Sequence, residues 1–236
     1  MIDRLTLTES RIKDMVDGIR QVINLSDPIG EIIEGYLRPN GLQIQKVRVP
    51  IGVIAIIYES RPNVTADAAS LCLKTGNVTI LRGGKESIHS NLAIYGQISS
   101  ALEQVGMDKN IIQVIETTDR EAVNHLLKAD KFVDLVIPRG GESLIRNVAE
   151  NSTIPVIKHY KGVCHTYVDE DANLVMALDI CLNAKIQRPG TCNAMETMLV
   201  HEKIAKEFLP IVYKSMSEAG VELRGCKQSC MILPDI

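Results

Sequence analysis

No stretch of this sequence is apolar for the roughly 20 residues that a membrane-spanning helix needs. The longest apolar run, IGVIAIIY from Ile51 to Tyr58, has the length of a strand, and it reads as a buried one. The N-terminal MIDRLTLTESRIKDM mixes acids and bases without the apolar h-region of a secretory signal, so the cytoplasm is the expected location. An excess of one charge is also missing, since 26 Lys and Arg face 29 Asp and Glu for a net −3. That balance leaves no whole-chain footprint for nucleic acid or an anionic membrane, and any polyanion site has to be local. The six cysteines lack paired CxxC spacing and the five histidines lack HxxxH, so neither a disulfide frame nor a metal site is expected. The GxGxxG and GxxxxGK(S/T) fingerprints are absent too, which excludes the commonest Rossmann and P-loop readings.

What is present is ample apolar material. With 45% hydrophobic residues among 236, the chain can bury one large core or two smaller ones. Ile12, Met15, Val16, Ile19, Val22 and Ile23 recur at helical spacing, and Thr6 with Glu9 offers a capping box ahead of them. After the turn at Asp27-Pro28, LQIQKVRVP alternates like a half-exposed strand. Apolar strands are expected at residues 51–58, 78–81, 111–115, 133–137 and 154–157. Helical periodicity separates them in VTADAASLCLK, SIHSNLAIYGQISSALEQVG, DREAVNHLLKA and ESLIRNVAE. This βαβ order predicts an α/β fold with a parallel sheet and helices on its faces. A second set follows from Cys164: strand CHTYVD, helix ANLVMALDICLNAKI, a turn, strand ETMLVH and a helix from Glu202. A domain boundary is expected near Lys161-Gly162, giving domains 1–161 and 162–236.

One short pattern recurs. ILRGGKES holds Arg82, Gly83, Gly84 and Lys85, and IPRGGES holds Arg139, Gly140 and Gly141, each where a strand ends and a helix begins. Helix N-termini offer unpaired N–H groups and a positive dipole end, and glycine lets a ligand approach the backbone, so both turns suit phosphate. The plainer alternative is that the glycines only make a tight turn. The segment AKIQRPGTCNAMET raises a different chemistry. Its Pro-Gly turn stops the preceding helical pattern and leaves Cys192 beside polar groups and the cation of Arg188, the setting of a reactive thiol.

PIGVIAIIYESRPNVTADAASLCLKTGN, ILRGGKES, VIPRGG and NAKIQRPGTCNAMET together resemble the γ-glutamyl phosphate reductases of the aldehyde dehydrogenase superfamily. The resemblance implies an incomplete dinucleotide-binding domain over 1–161 and the first part of a catalytic α/β domain over 162–236. It also implies NADPH as cofactor, γ-glutamyl phosphate as the small-molecule substrate, and glutamate 5-semialdehyde with phosphate as products in proline biosynthesis. By motif, Cys192 takes the nucleophile's place. Asn63 takes that of the asparagine whose amide stabilises the acyl oxygen, although a helix N-cap explains Asn63 equally well from the residues alone. The two Arg-Gly-Gly turns and Lys85 become cofactor contacts, with Arg82 and Lys85 suited to a 2′-phosphate. Lys185 and Arg188 flank the nucleophile as surface charges or substrate contacts. The segment KHYKG offers His159, Tyr160 and Lys161 where aldehyde-oxidising members carry a glutamate base, and this fits reduction over hydrolysis. The family extends beyond both Met1 and Ile236, so a truncated chain is expected. It would be either an active reductase or a nucleotide-binding fragment without turnover. A homo-oligomer, or glutamate 5-kinase, is the implied partner of the longer protein.

Overall fold

A computed structural model describes residues 5–158 and 162–236. The chain divides into two compact units, Met1–Tyr160 and Lys161–Ile236.

The first unit opens with helix α1 (Glu9–Asn24). Its cap is Thr8, two residues past the expected Thr6; the Thr8 side chain accepts from the Arg11 amide, and with Arg11 where a capping box needs Glu or Gln the cap is one-sided. The alternating segment around Ile44 forms β2 (Gln43–Val47), paired antiparallel with β1 (Ile32–Leu37). β1 has no counterpart in the sequence reading, because its six residues are all exposed and carry no apolar alternation. A four-stranded parallel sheet then follows from β3 (Val53–Tyr58), β4 (Val78–Arg82), β5 (Ile112–Val114) and β6 (Leu135–Arg139) in the spatial order β5-β4-β3-β6. The chain therefore starts at an inner strand, winds outward to β5, and returns to the other side of β3.

Four helices cover this sheet, and alternate residues of β3 show how. Ile54, Ile56 and Tyr58 pack with Ala68, Ala69 and Cys72 of α2 (Asn63–Lys74) and Leu102 of α3 (Ile88–Gln104). Ala55 and Ile57 point the other way, against Val123 and Leu126 of α4 (Arg120–Leu126) and Val148 of α5 (Glu142–Asn151). Burial on both faces is why β3 reads as an uninterrupted apolar run. The strand expected at residues 154–157 is not formed. Only a single bridge, Val136 with Val156, is present there, and Pro155 has no N–H to extend the ladder.

The second unit pairs β7 (Cys164–Val168) parallel with β8 (Met195–Val200). Helix α6 (Leu174–Ile186) links them, and α7 (Glu202–Glu218) and α8 (Lys227–Ile232) complete the unit. Its core gathers Val168, Cys181, Met195, Phe208, Val212, Met216 and Leu233.

Candidate active site

Parallel strands send all their carboxyl ends to one edge, and a sheet wound outward from an inner strand opens a crevice where the winding reverses. Here that reversal lies between β3 and β6. Both Arg-Gly-Gly turns stand on this edge, one after β4 and one after β6, with the end of β3 between them.

The glycines of both turns face other parts of the protein. A Cβ on Gly83 would lie 2.1 Å from Asn91 Nδ2, and one on Gly84 would lie 2.6 Å from Ser60 Oγ. One on Gly140 would meet Glu59 Cδ at 2.6 Å. Glu59 Oε1 accepts from the Gly141 amide at 2.8 Å, and Gly141 is the N-cap of α5. The anion seat anticipated at the second turn thus holds a carboxylate of the chain itself, placed where the helix dipole favours negative charge. Ser60 Oγ donates to Glu86 Oε2 at 2.5 Å, and this bond chiefly holds the Glu86 carboxyl below its ordinary range. Glu59, Ser60 and Glu86 escaped the sequence reading. The polar pair at the end of an apolar strand was the available signal.

Arg82 is 8% exposed. Its Nη1 donates to the Gly83 carbonyl, and its Nη2 donates to the carbonyls of Thr118 (3.0 Å) and Asp119 (3.3 Å). Lys85 is exposed in the short 3₁₀ turn Lys85–Ser87 ahead of α3, and Arg139 is exposed at the end of β6.

Asn63 is the exposed first residue of α2, one position past the N-cap, which is Pro62. The capping alternative therefore fails. Asn63 Nδ2 donates to Asp67 Oδ2 at 3.0 Å. Burial raises the Asp67 carboxyl above its ordinary value, and the Asn63 bond only partly offsets it. A raised carboxylate favours the protonated folded state, so its ionisation costs stability as pH climbs from about 4 through the folded value. Asp67→Asn is expected to stabilise the chain at pH 7 and to lose that advantage at pH 3. Thermal melts at the two pH values check this, and equal gains at both would assign the effect to packing.

Cys192 belongs to the second unit, in the turn between α6 and β8, and is exposed. The Thr191 amide and Oγ1 both donate to the Arg188 carbonyl, at 3.1 and 2.8 Å. The Ala194 amide returns to the Thr191 carbonyl at 3.3 Å, and Cys164 Sγ donates to the Cys192 carbonyl at 3.4 Å. An open cavity of ≈ 580 Å³ adjoins the turn, lined by Asn183, Gln187, Arg188, Thr191 and Asn193 among others. Lys185 is committed elsewhere, with Nζ on the Met195 carbonyl at 3.1 Å. Arg188 is exposed and borders the cavity. Burial raises the Cys72 and Cys181 thiols, which makes them poorer nucleophiles. Cys226 is exposed like Cys192, and bonds involving Ser229 lower its thiol, so acidity by itself does not single out a nucleophile. His159, Tyr160 and Lys161 lie outside the described residues. Among the described residues no cluster of three metal-ligating side chains occurs, and no helix is long and apolar enough to cross a membrane.

The aldehyde dehydrogenase family model matches residues 4–228, and the chain belongs to that family. Its relatives narrow the class. The chain is 57% identical to the γ-glutamyl phosphate reductase of Thermodesulfovibrio yellowstonii, over all of this chain and 56% of that protein. It is 58% identical to that of Caldanaerobacter subterraneus, over all of this chain and 57% of that one. The crystal structure of the Thermotoga maritima γ-glutamyl phosphate reductase superposes with a TM-score of 0.91 at 48% identity, covering all of this chain and 57% of that one. The chain thus spans a little over half the length of these relatives. The resemblance first seen in the motifs and the aldehyde dehydrogenase-like α/β fold both hold.

Proposed function

We propose that this chain carries the dinucleotide-binding unit and the thiol-bearing segment of an NADPH-dependent reductase that converts γ-glutamyl phosphate to glutamate 5-semialdehyde and phosphate. The observation that carries the reading is the exposed Cys192, in the turn matching the reductase motif, on a chain 57% identical to a γ-glutamyl phosphate reductase. Cys192 Sγ attacks the acyl carbon, the acyl–oxygen bond to phosphate breaks, and the acyl group is left as a thioester on the protein. By motif alone, Asn63 takes the part of an asparagine whose amide N–H meets an acyl oxygen. Acyl phosphate departs readily, so no strong acid has to assist. Collapse of the reduced thiohemiacetal returns the thiol. When bound, a nicotinamide cofactor supplies the hydride that takes the thioester to the aldehyde level.

The residues at the sheet edge fit such a cofactor. The first turn offers the Gly83-Gly84 backbone beside the exposed Lys85, whereas the Gly141 amide of the second turn is already bonded to the Glu59 carboxylate. Lys85 is an exposed cation, suited to a 2′-phosphate. The test of the reaction is mass spectrometry after exposure to an acyl phosphate, with a hydroxylamine-labile acyl group expected on Cys192. Acylation at another cysteine, or at none, would overturn the reading.

For the cofactor, Lys85→Glu is expected to weaken NADPH binding by about 10-fold or more, to leave NADH nearly unchanged, and to lose this selectivity as salt rises. Titration of both cofactors at two ionic strengths measures it. Equal weakening would remove Lys85 from the phosphate contact.

A further inference from the structure

Behind the first Arg-Gly-Gly turn lies a directed chain of buried hydrogen bonds. Tyr58 Oη is 2.8 Å from Thr65 Oγ1, Thr65 Oγ1 donates to Asn91 Oδ1 at 3.3 Å, and Asn91 Nδ2 donates to Ser87 Oγ at 3.1 Å. Ser87 Oγ ends the chain on the Gly84 carbonyl at 3.3 Å. With Thr65 committed as a donor to Asn91, Tyr58 is the donor at the first link, so every proton runs toward the turn. None of the four side chains is more than 3% exposed, and together they join β3, α2, α3 and the turn.

Burying hydroxyls and an amide costs free energy that hydrogen bonds only repay, so an apolar cluster would serve packing equally well. What a satisfied polar chain adds is one fixed geometry. Asn91 stands where a side chain at Gly83 would be, and Arg82 bonds the Gly83 carbonyl of the same turn. The Arg82 guanidinium spends its Nη groups on three backbone carbonyls, and its buried Nε has no hydrogen-bond partner.

We infer that Asn91 and Arg82 are positioning residues which hold the Gly83–Lys85 backbone in its ligand-receiving shape, and that Arg82 does not itself touch the ligand's phosphate. The inference rests on the cofactor reading above, with Lys85 as the contacting cation. It revises the role that the motif alone suggests for Arg82.

Two variants test it: Thr65→Val, which keeps the side chain's shape and cuts the hydrogen-bond chain, and Arg82→Met, which removes the brace. Amide hydrogen exchange without cofactor is expected to quicken about 10-fold at residues 83–88 in both, with β5 and α5 unchanged. NADPH and NADH are expected to weaken by the same factor, roughly 10-fold, at low and at high salt. A loss confined to NADPH that fades with salt in Arg82→Met would make Arg82 a phosphate contact and overturn the inference. Unchanged exchange at residues 83–88 in Thr65→Val would overturn the hydrogen-bond chain's role, and this variant decides that point even if Arg82→Met does not fold. Should the unaltered chain bind neither cofactor, the cofactor reading falls, while the exchange measurement still decides whether the turn is braced.

Discussion

Cys192→Ser is expected to fold like the unaltered chain and to lose acyl transfer, by on the order of 10³-fold or more. The fold should survive because the side chain is exposed in a turn held by backbone bonds of Arg188, Thr191 and Ala194, none of which uses Sγ. The chemistry should not, because a thiol is measurably ionised near neutral pH and intrinsically nucleophilic, whereas a serine hydroxyl needs an adjacent base. Among the described residues, no histidine or carboxylate lines the cavity beside the turn to act as one. Circular dichroism and thermal melts should match those of the parent, and the acyl adduct should vanish. Persistent acylation of the serine variant would sink the assignment. So would loss of the adduct in a folded Cys181→Ala variant, since Cys181 is buried in the core of its unit.

The largest effect on stability is expected from Phe208→Ala. Phe208 is fully buried on α7 together with Leu209, Val212 and Met216, and it packs in one cluster with Cys181, Met195 and Val168. Emptying such a site typically costs about 3–5 kcal/mol, against the roughly 5–15 kcal/mol that a whole domain has. The loss reaches function because Met195, three residues after Cys192, opens β8 and belongs to the same cluster. Hydrogen exchange on the β7 and β8 amides should rise, and the chain should melt at lower temperature. A cost below about 1 kcal/mol would mean that α7 repacks into the space, which the range seen for such truncations ties to how well a site collapses.

How far the sequence carried this picture depends on the range of each interaction. The apolar run of β3 and the 3.6-residue periodicities of α1 to α7 are local signals, and those elements formed within a residue or two of their expected places, except that α4 stops at Leu126, three residues short of Ala129. The order of strands and helices also gave the parallel sheet. Failures came where a partner far along the chain decided the outcome. The Glu59 carboxylate reaches an amide 82 residues away, and nothing near Glu59 announces it. For Arg82 the sequence shows only the cation, because two of the carbonyls that its guanidinium reaches lie 36 and 37 residues downstream. Thr6 and Thr8 both precede α1, and spacing could not choose between them. For the candidate site, the glycine turns and the cysteine turn were legible as motifs, but the groups that shape the first of them were not.

The return of the chain to the far side of β3 also sets an order of assembly. Gly52 is tied to Asn77 across 25 residues, while Val53 is tied to Asp134 across 81. Closing the longer loop costs about 1 kcal/mol more in chain entropy. Short-range contacts tend to form first, so β3, α2 and β4 would make a template to which β6 docks late. The second Arg-Gly-Gly turn travels with β6, whereas the first is in place once the template has closed. A nascent chain can therefore complete one half of its crevice well before the residues of the other half have been synthesised.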